Sequence, residues 1–125
     1  NTFDFDTNYK FVQHVLTMDT TANVESIRAI HNPKLHLLAY CSIIIWQYIT
    51  FCIGAIGLKE YYVQGTVKLI NLSIVMAIAL YFLGYTVIAS EWFMMWQSTT
   101  WNAQSKAINF TMMFMLVHIF VNRKP

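Results

Sequence analysis

The chain has 125 residues, 57% of them hydrophobic and only 11% charged, with a formal net charge of +2 and a mean hydropathy of +0.45. A soluble domain carries about 25% charged residues, so the composition argues against a water-soluble globule. The scattered positive charge, with no basic run, argues against a nucleic-acid partner. The reading that remains is one all-α helical bundle whose solvent is lipid.

Residues 1–34 are polar and mixed, and no window among them is long enough to span, so they are expected to lie outside the membrane. Phe11, Val12, Val15 and Leu16 fall at i, i+1, i+4 and i+5, which predicts one or two helical turns resting on a surface. Asn23 is placed to cap a second short helix. Glu25 would lie near its positive end, and Val24, Ile27 and Ile30 on one side. Asn32-Pro33 breaks that helix and can start the next, with Asn32 as N-cap and Pro33 at the first position.

Three uncharged runs follow. Leu35 to Leu58 covers 24 residues, and about 20 suffice to cross the hydrocarbon core. Lys59-Glu60 closes this run, and Tyr61 and Tyr62 suit a membrane–water boundary. Leu69 to Ser90 covers 22 residues, with Ala77, Ala79, Gly84 and Ala89 small enough for close helix approach. Ala107 to Val121 covers only 15, so its helix is expected to begin near Asn102. Asn102, Ser105 and Asn109 then make a polar stripe, which lipid would penalise and which is expected to face protein. The predicted membrane domain is therefore 35–125, with spans at about 35–58, 69–90 and 102–122.

The 1–34 segment and the 91–106 loop share one side of the membrane in this topology. The balance of basic residues slightly favours a cytoplasmic C-terminus. Moving the polar segment across most simply uses a further helix upstream, in keeping with a first residue, Asn1, that is not methionine. Cys41 and Cys52 lie on a similar face but about 16 Å apart along a helix, too far for a disulfide.

Chemistry, if present, is concentrated in Glu91–Gln104, which holds three of the four tryptophans. Glu91 is either a functional carboxylate or a boundary residue in water. Trp92 and Trp96 sit at i, i+4. With Trp101 they read either as a docking plate for a partner or a quinone-like ligand, or as an interfacial aromatic belt. Asn102, Gln104 and Asn109 are the remaining contact candidates. His14, His31 and His36, with Met18, Met94 and Met95, offer a weak soft-metal set without tight spacing. Haem would need axial ligands. His36 and His118 fall at opposite ends of their spans, so a haem could use only His36 with a partner's ligand. Gln47, in mid-span, wants an interhelical hydrogen bond.

Several stretches resemble a bacterial family of predicted small integral membrane proteins of unknown function. They are Phe11-Val-Gln-His-Val-Leu-Thr-Met-Asp-Thr-Thr21, Ile27-Arg-Ala-Ile30 before Asn32-Pro33, and Glu91-Trp-Phe-Met-Met-Trp-Gln-Ser98 with Trp101-Asn-Ala-Gln104. The resemblance covers nearly the whole chain. It implies a four-helix membrane protein whose first helix precedes this segment. Ala103 stands where the family pattern expects glycine, and Asn109 where members tend to carry a basic residue.

No catalytic constellation is present in the sequence. The functional expectation is a non-catalytic accessory or structural subunit of a larger membrane complex, a respiratory complex being one candidate setting. Its partners would be membrane lipids and other integral membrane subunits. The alternative is a haem- or quinone-binding anchor of an oxidoreductase. A small transporter or channel would want charges inside the spans, and there are none. The expected location is the bacterial inner membrane, with the mitochondrial inner membrane as the alternative.

Overall fold

The computed structural model describes residues 4–22 and 26–123. Their regular structure is helical, with no strand among them. The elements are α1 (Phe5–Thr17), α2 (Pro33–Gln64), α3 (Lys68–Ile78), a π-wound segment (Ala79–Trp92), a single 3-10 turn (Met95–Gln97) and α4 (Gln104–Asn122).

Helix α1 is longer than the apolar stripe suggested, at 13 residues. Its first turn is polar and is held locally. Asn8 donates to the Asp4 carbonyl through its backbone and its side-chain amide, and Asp6 sits at the positive end of the helix dipole. The stripe does not rest on an open surface, since Val12 and Val15 are buried. Met18 ends α1 in the left-handed region at φ 55°.

Of the second short helix expected near residue 23, Asn23, Val24 and Glu25 lie outside the described residues. Ser26–His31 is not helical. Its backbone bonds are committed elsewhere: Ala29 N–H reaches Ser26 O, and Ile30 N–H reaches back to Leu16 O at 2.8 Å.

Helix α2 begins as expected. Asn32 accepts from Lys34 N–H at 3.0 Å, and Pro33 takes the first position. It continues past Lys59-Glu60 to Gln64, 32 residues or about 48 Å, because no breaker occurs before Gly65. Gly65 closes it at φ 69°, where a side chain would be strained.

Helix α3 passes into the π-wound segment without a break. Phe93 N–H bonds the carbonyl of Ile88 and Thr86 Oγ1 that of Tyr81, both five residues back. A run of 14 such residues is far longer than the usual one-turn bulge. The exposure pattern follows the wider turn. The exposed pairs are Phe82/Leu83, Val87/Ile88 and Glu91/Trp92, while Ser90 is fully buried. Under α winding, at about 100° per residue, Ser90 would stand opposite Tyr81. The wider turn brings both inward.

Two helices are long and apolar enough to cross a membrane, Pro33–Gln64 and Lys68–Trp92. They form a hairpin with its closest contact at Gly57. A Cβ there would come within 2.7 Å of Ile70 N and 2.9 Å of Leu69 C, so only glycine fits. Trp46 adds a cross-helix bond from its indole N–H to Met76 O at 2.9 Å. Cys41 and Cys52 are both free thiols on α2.

Helix α4, the third predicted span, has 19 residues, about 28 Å. Gln104, Ser105, Lys106 and Asn109 dilute its apolar run. It packs on α3 and the π-wound segment through Ala107 and Thr111, while Tyr81 stacks on Phe110 and Phe114 at 4.9 and 5.9 Å. Asn71 and Asn122 exchange a reciprocal amide pair at 2.7 and 2.8 Å. The polar stripe expected to face protein does not face this chain: Asn102, Ser105 and Asn109 are exposed. Asn109 lies about 200° round the helix from Ala107, so seating the small residues on α3 turns the amide outward.

Candidate functional site

The connector 93–103 folds back over the end of α1. Val15, Met18, Phe93 and Met95 form a buried cluster, with Phe11, Leu16, Ala29, Ile30, Ala89, Met94 and Ala103 packed around it. The chain leaves its helix at Trp92, and Met94 takes φ 55° before the 3-10 turn. Trp92 and Trp96 therefore do not share a helical face. The reversal at Met94 aims Met95 inward instead, where it is 1% exposed.

Polar bonds stitch the same two segments. Ser98 Oγ accepts from Thr20 Oγ1 and from Trp101 N–H, both at 2.9 Å. Gln97 Oε1 accepts from Ala22 N–H at 3.1 Å. His14 Nδ1 lies 2.7 Å from Asp19 Oδ2, and a carboxylate accepts, so Nδ1 carries the proton. The His14 ring stacks on Trp101 at 4.7 Å. Arg28 lies over the Trp92 ring at 5.6 Å and donates to Met94 Sδ at 3.2 Å.

Most of the residues singled out from the sequence meet here. Gln104 Nε2 donates to Glu91 Oε1 at 3.5 Å. Asn102 donates to Trp96 O at 3.3 Å and accepts from Gln104 N–H at 3.0 Å, capping α4 from just outside it. Ala103 has φ −110°, which alanine adopts freely, so this position does not need glycine. Asn109 stands apart on the outer face of α4.

The histidines and methionines do not converge as a soft-metal set. His14 is held by Asp19, His31 is exposed, and His36 is buried with Nε2 at 2.7 Å from Ile30 O. Met18 and Met95 lie in the apolar cluster, and Met94 is under Arg28. No group of three metal-ligating side chains occurs among the described residues. His118, at the far end of α4, is linked to Asn122.

Sequence reasoning passed over Arg28, Asp19, Thr20, Gln97 and Ser98 as site residues. All five stand inside the motifs quoted above, and pairing those motifs is the signal that would find them. It also passed over a void beneath α1 of about 240 Å³, almost wholly apolar, lined in part by Val12, Ile43, Gly84, Tyr85 and Phe93. Two buried atoms, His36 Nδ1 and Ser90 Oγ, have no hydrogen-bond partner among the described residues.

Two lipid-compatible helices, closed at one end by an aromatic and amide cap, define a small integral membrane protein. The chain belongs to the family described as predicted small integral membrane protein (DUF2165), which matches residues 1–124. No curated protein and no solved structure matches it.

Proposed function

We propose that the protein is a non-catalytic accessory subunit of a larger membrane assembly, with a respiratory complex of the bacterial inner membrane as the favoured setting. In this reading α2, α3 with its π-wound continuation, and α4 are three spans, and the C-terminus is cytoplasmic. One observation carries the reading. Asn109 is exposed on α4, facing away from its own chain, with no hydrogen-bond partner among the described residues. Within a span such an amide needs a donor and acceptor from another polypeptide. Ser105 extends the same face by one turn.

Purification in mild detergent, followed by native mass spectrometry, is expected to recover the chain with a second integral membrane protein. Asn109→Leu is expected to weaken that association by about 1 kcal/mol, roughly fivefold. Recovery of a lone monomer under conditions that keep other membrane complexes intact would count against the reading.

A second reading is favoured by the apolar void beneath α1. It makes the chain a quinone-binding anchor of an oxidoreductase. A haem could be ligated here only through His36 Nδ1, since Nε2 is held at the Ile30 carbonyl. Quinone in a lipid extract of the purified protein would support the anchor, and an empty extract would remove it.

A further inference from the structure

At the connector end, exposed Trp92 carries a cation over its ring and follows a carboxylate, Glu91, in the chain. Arg28 places its guanidinium 5.6 Å from the Trp92 ring. Glu91 precedes Trp92 in the chain and is exposed, and its bond is to the neutral Gln104 amide. The ion pair found among the described residues is His14–Asp19, which leaves both Arg28 and Glu91 without a charged partner there. An open groove of about 470 Å³ is lined by Val87, Ile88, Glu91, Trp92 and Phe93, and Arg28 adjoins it through the Trp92 ring instead of lining it. Its polar end is at the connector. Val87 and Ile88, 41% and 51% exposed, lie one turn deeper along the span.

We propose that this is a site for one zwitterionic phospholipid with a primary ammonium, a phosphoethanolamine headgroup. Charge complementarity names the occupant. The phosphate diester is matched to Arg28, whose planar fork suits a phosphate, and the ammonium to the Glu91 carboxylate. Trp92 sits at headgroup depth, where indoles prefer to lie. One acyl chain runs down Val87 and Ile88, so the groove takes the lipid in the direction a bilayer presents it. A choline headgroup has no N–H to give Glu91. A glycerol headgroup leaves that carboxylate beside a net negative lipid. The site rests on the membrane setting alone and stands whether or not the chain has a protein partner.

The test is native mass spectrometry of the full chain in detergent with equal amounts of phosphatidylethanolamine, phosphatidylcholine and phosphatidylglycerol. The wild type is expected to retain the ethanolamine lipid roughly three- to fivefold over each of the others, the range for exposed charge pairs. Glu91→Gln should abolish that preference without lowering total lipid retained. Arg28→Gln should lower retention of all three lipids, and Arg28→Lys, the folded control, should keep the ethanolamine preference. Equal retention of the three lipids by the wild type would overturn the proposal. So would a wild-type preference for phosphatidylglycerol, or an ethanolamine preference that survives Glu91→Gln.

Discussion

The two ends of the helix bundle are built on different principles. At the connector end, segments far apart in sequence share a buried cluster, and several side-chain bonds join residues 14–28 to residues 94–101. At the hairpin end, α2 and α3 approach most closely at Gly57, and an amide pair ties α3 to α4. The connector end resembles a small soluble core, with apolar burial inside and polar bonds at the rim. The hairpin end relies on close backbone approach and hydrogen bonding, the means available where lipid removes the hydrophobic drive between helices.

The strongest challenge to this contrast is Met95→Ala. Emptying a fully buried methionine should cost about 2–5 kcal/mol. The loss should appear first as protease sensitivity at the connector, with the α2–α3 hairpin still helical by circular dichroism. If the whole bundle unfolds together, the two ends are one cooperative unit and the contrast fails.

Gly57→Ala comes next. Its Cβ meets backbone, not a flexible side chain, so helices must separate, at about 1–3 kcal/mol. Reversible unfolding in mixed micelles measures it, and an unchanged midpoint would mean the close approach is not needed.

The smallest effect is expected for the amide pair. A double-mutant cycle of Asn71→Leu and Asn122→Leu should give a coupling of about 0.6–1.7 kcal/mol, the range for interhelical hydrogen bonds in membranes. A coupling near zero would leave α4 held by the packing of Ala107 and Thr111 and the Tyr81 stack on Phe110 and Phe114.

The long uncharged runs made α2 and Lys68–Trp92 legible, because a charge-free stretch of that length has one low-energy form in lipid. Asn32-Pro33 marked the start of α2 for a local reason, and the cap formed as expected. What stayed hidden was tertiary. The first turn of α1 is polar, so it carries no apolar period to read. Ser26–Ile30 was read as helix because its pattern is local, whereas its backbone bonds go to Leu16. Trp92 and Trp96 were placed on one helical face because nothing in Phe93-Met94-Met95 announces a left-handed residue; the packing of Met95 imposes it. Glu91, Asn102 and Gln104 were singled out as a composition. Their bonds to one another and to Trp96 depend on the chain reversal, which the sequence does not display.

The π-wound stretch also gives the molecule spare length. An α-helix would climb from Ala79 to the level of Trp92 with fewer residues, so the surplus is stored as girth. A lost residue here can be absorbed by tightening one coil, leaving the connector at the same height above α3. The same loss within α2 would rotate everything beyond it by about 100°. Here alone among the long helices, a change of length need not turn the connector away from α1.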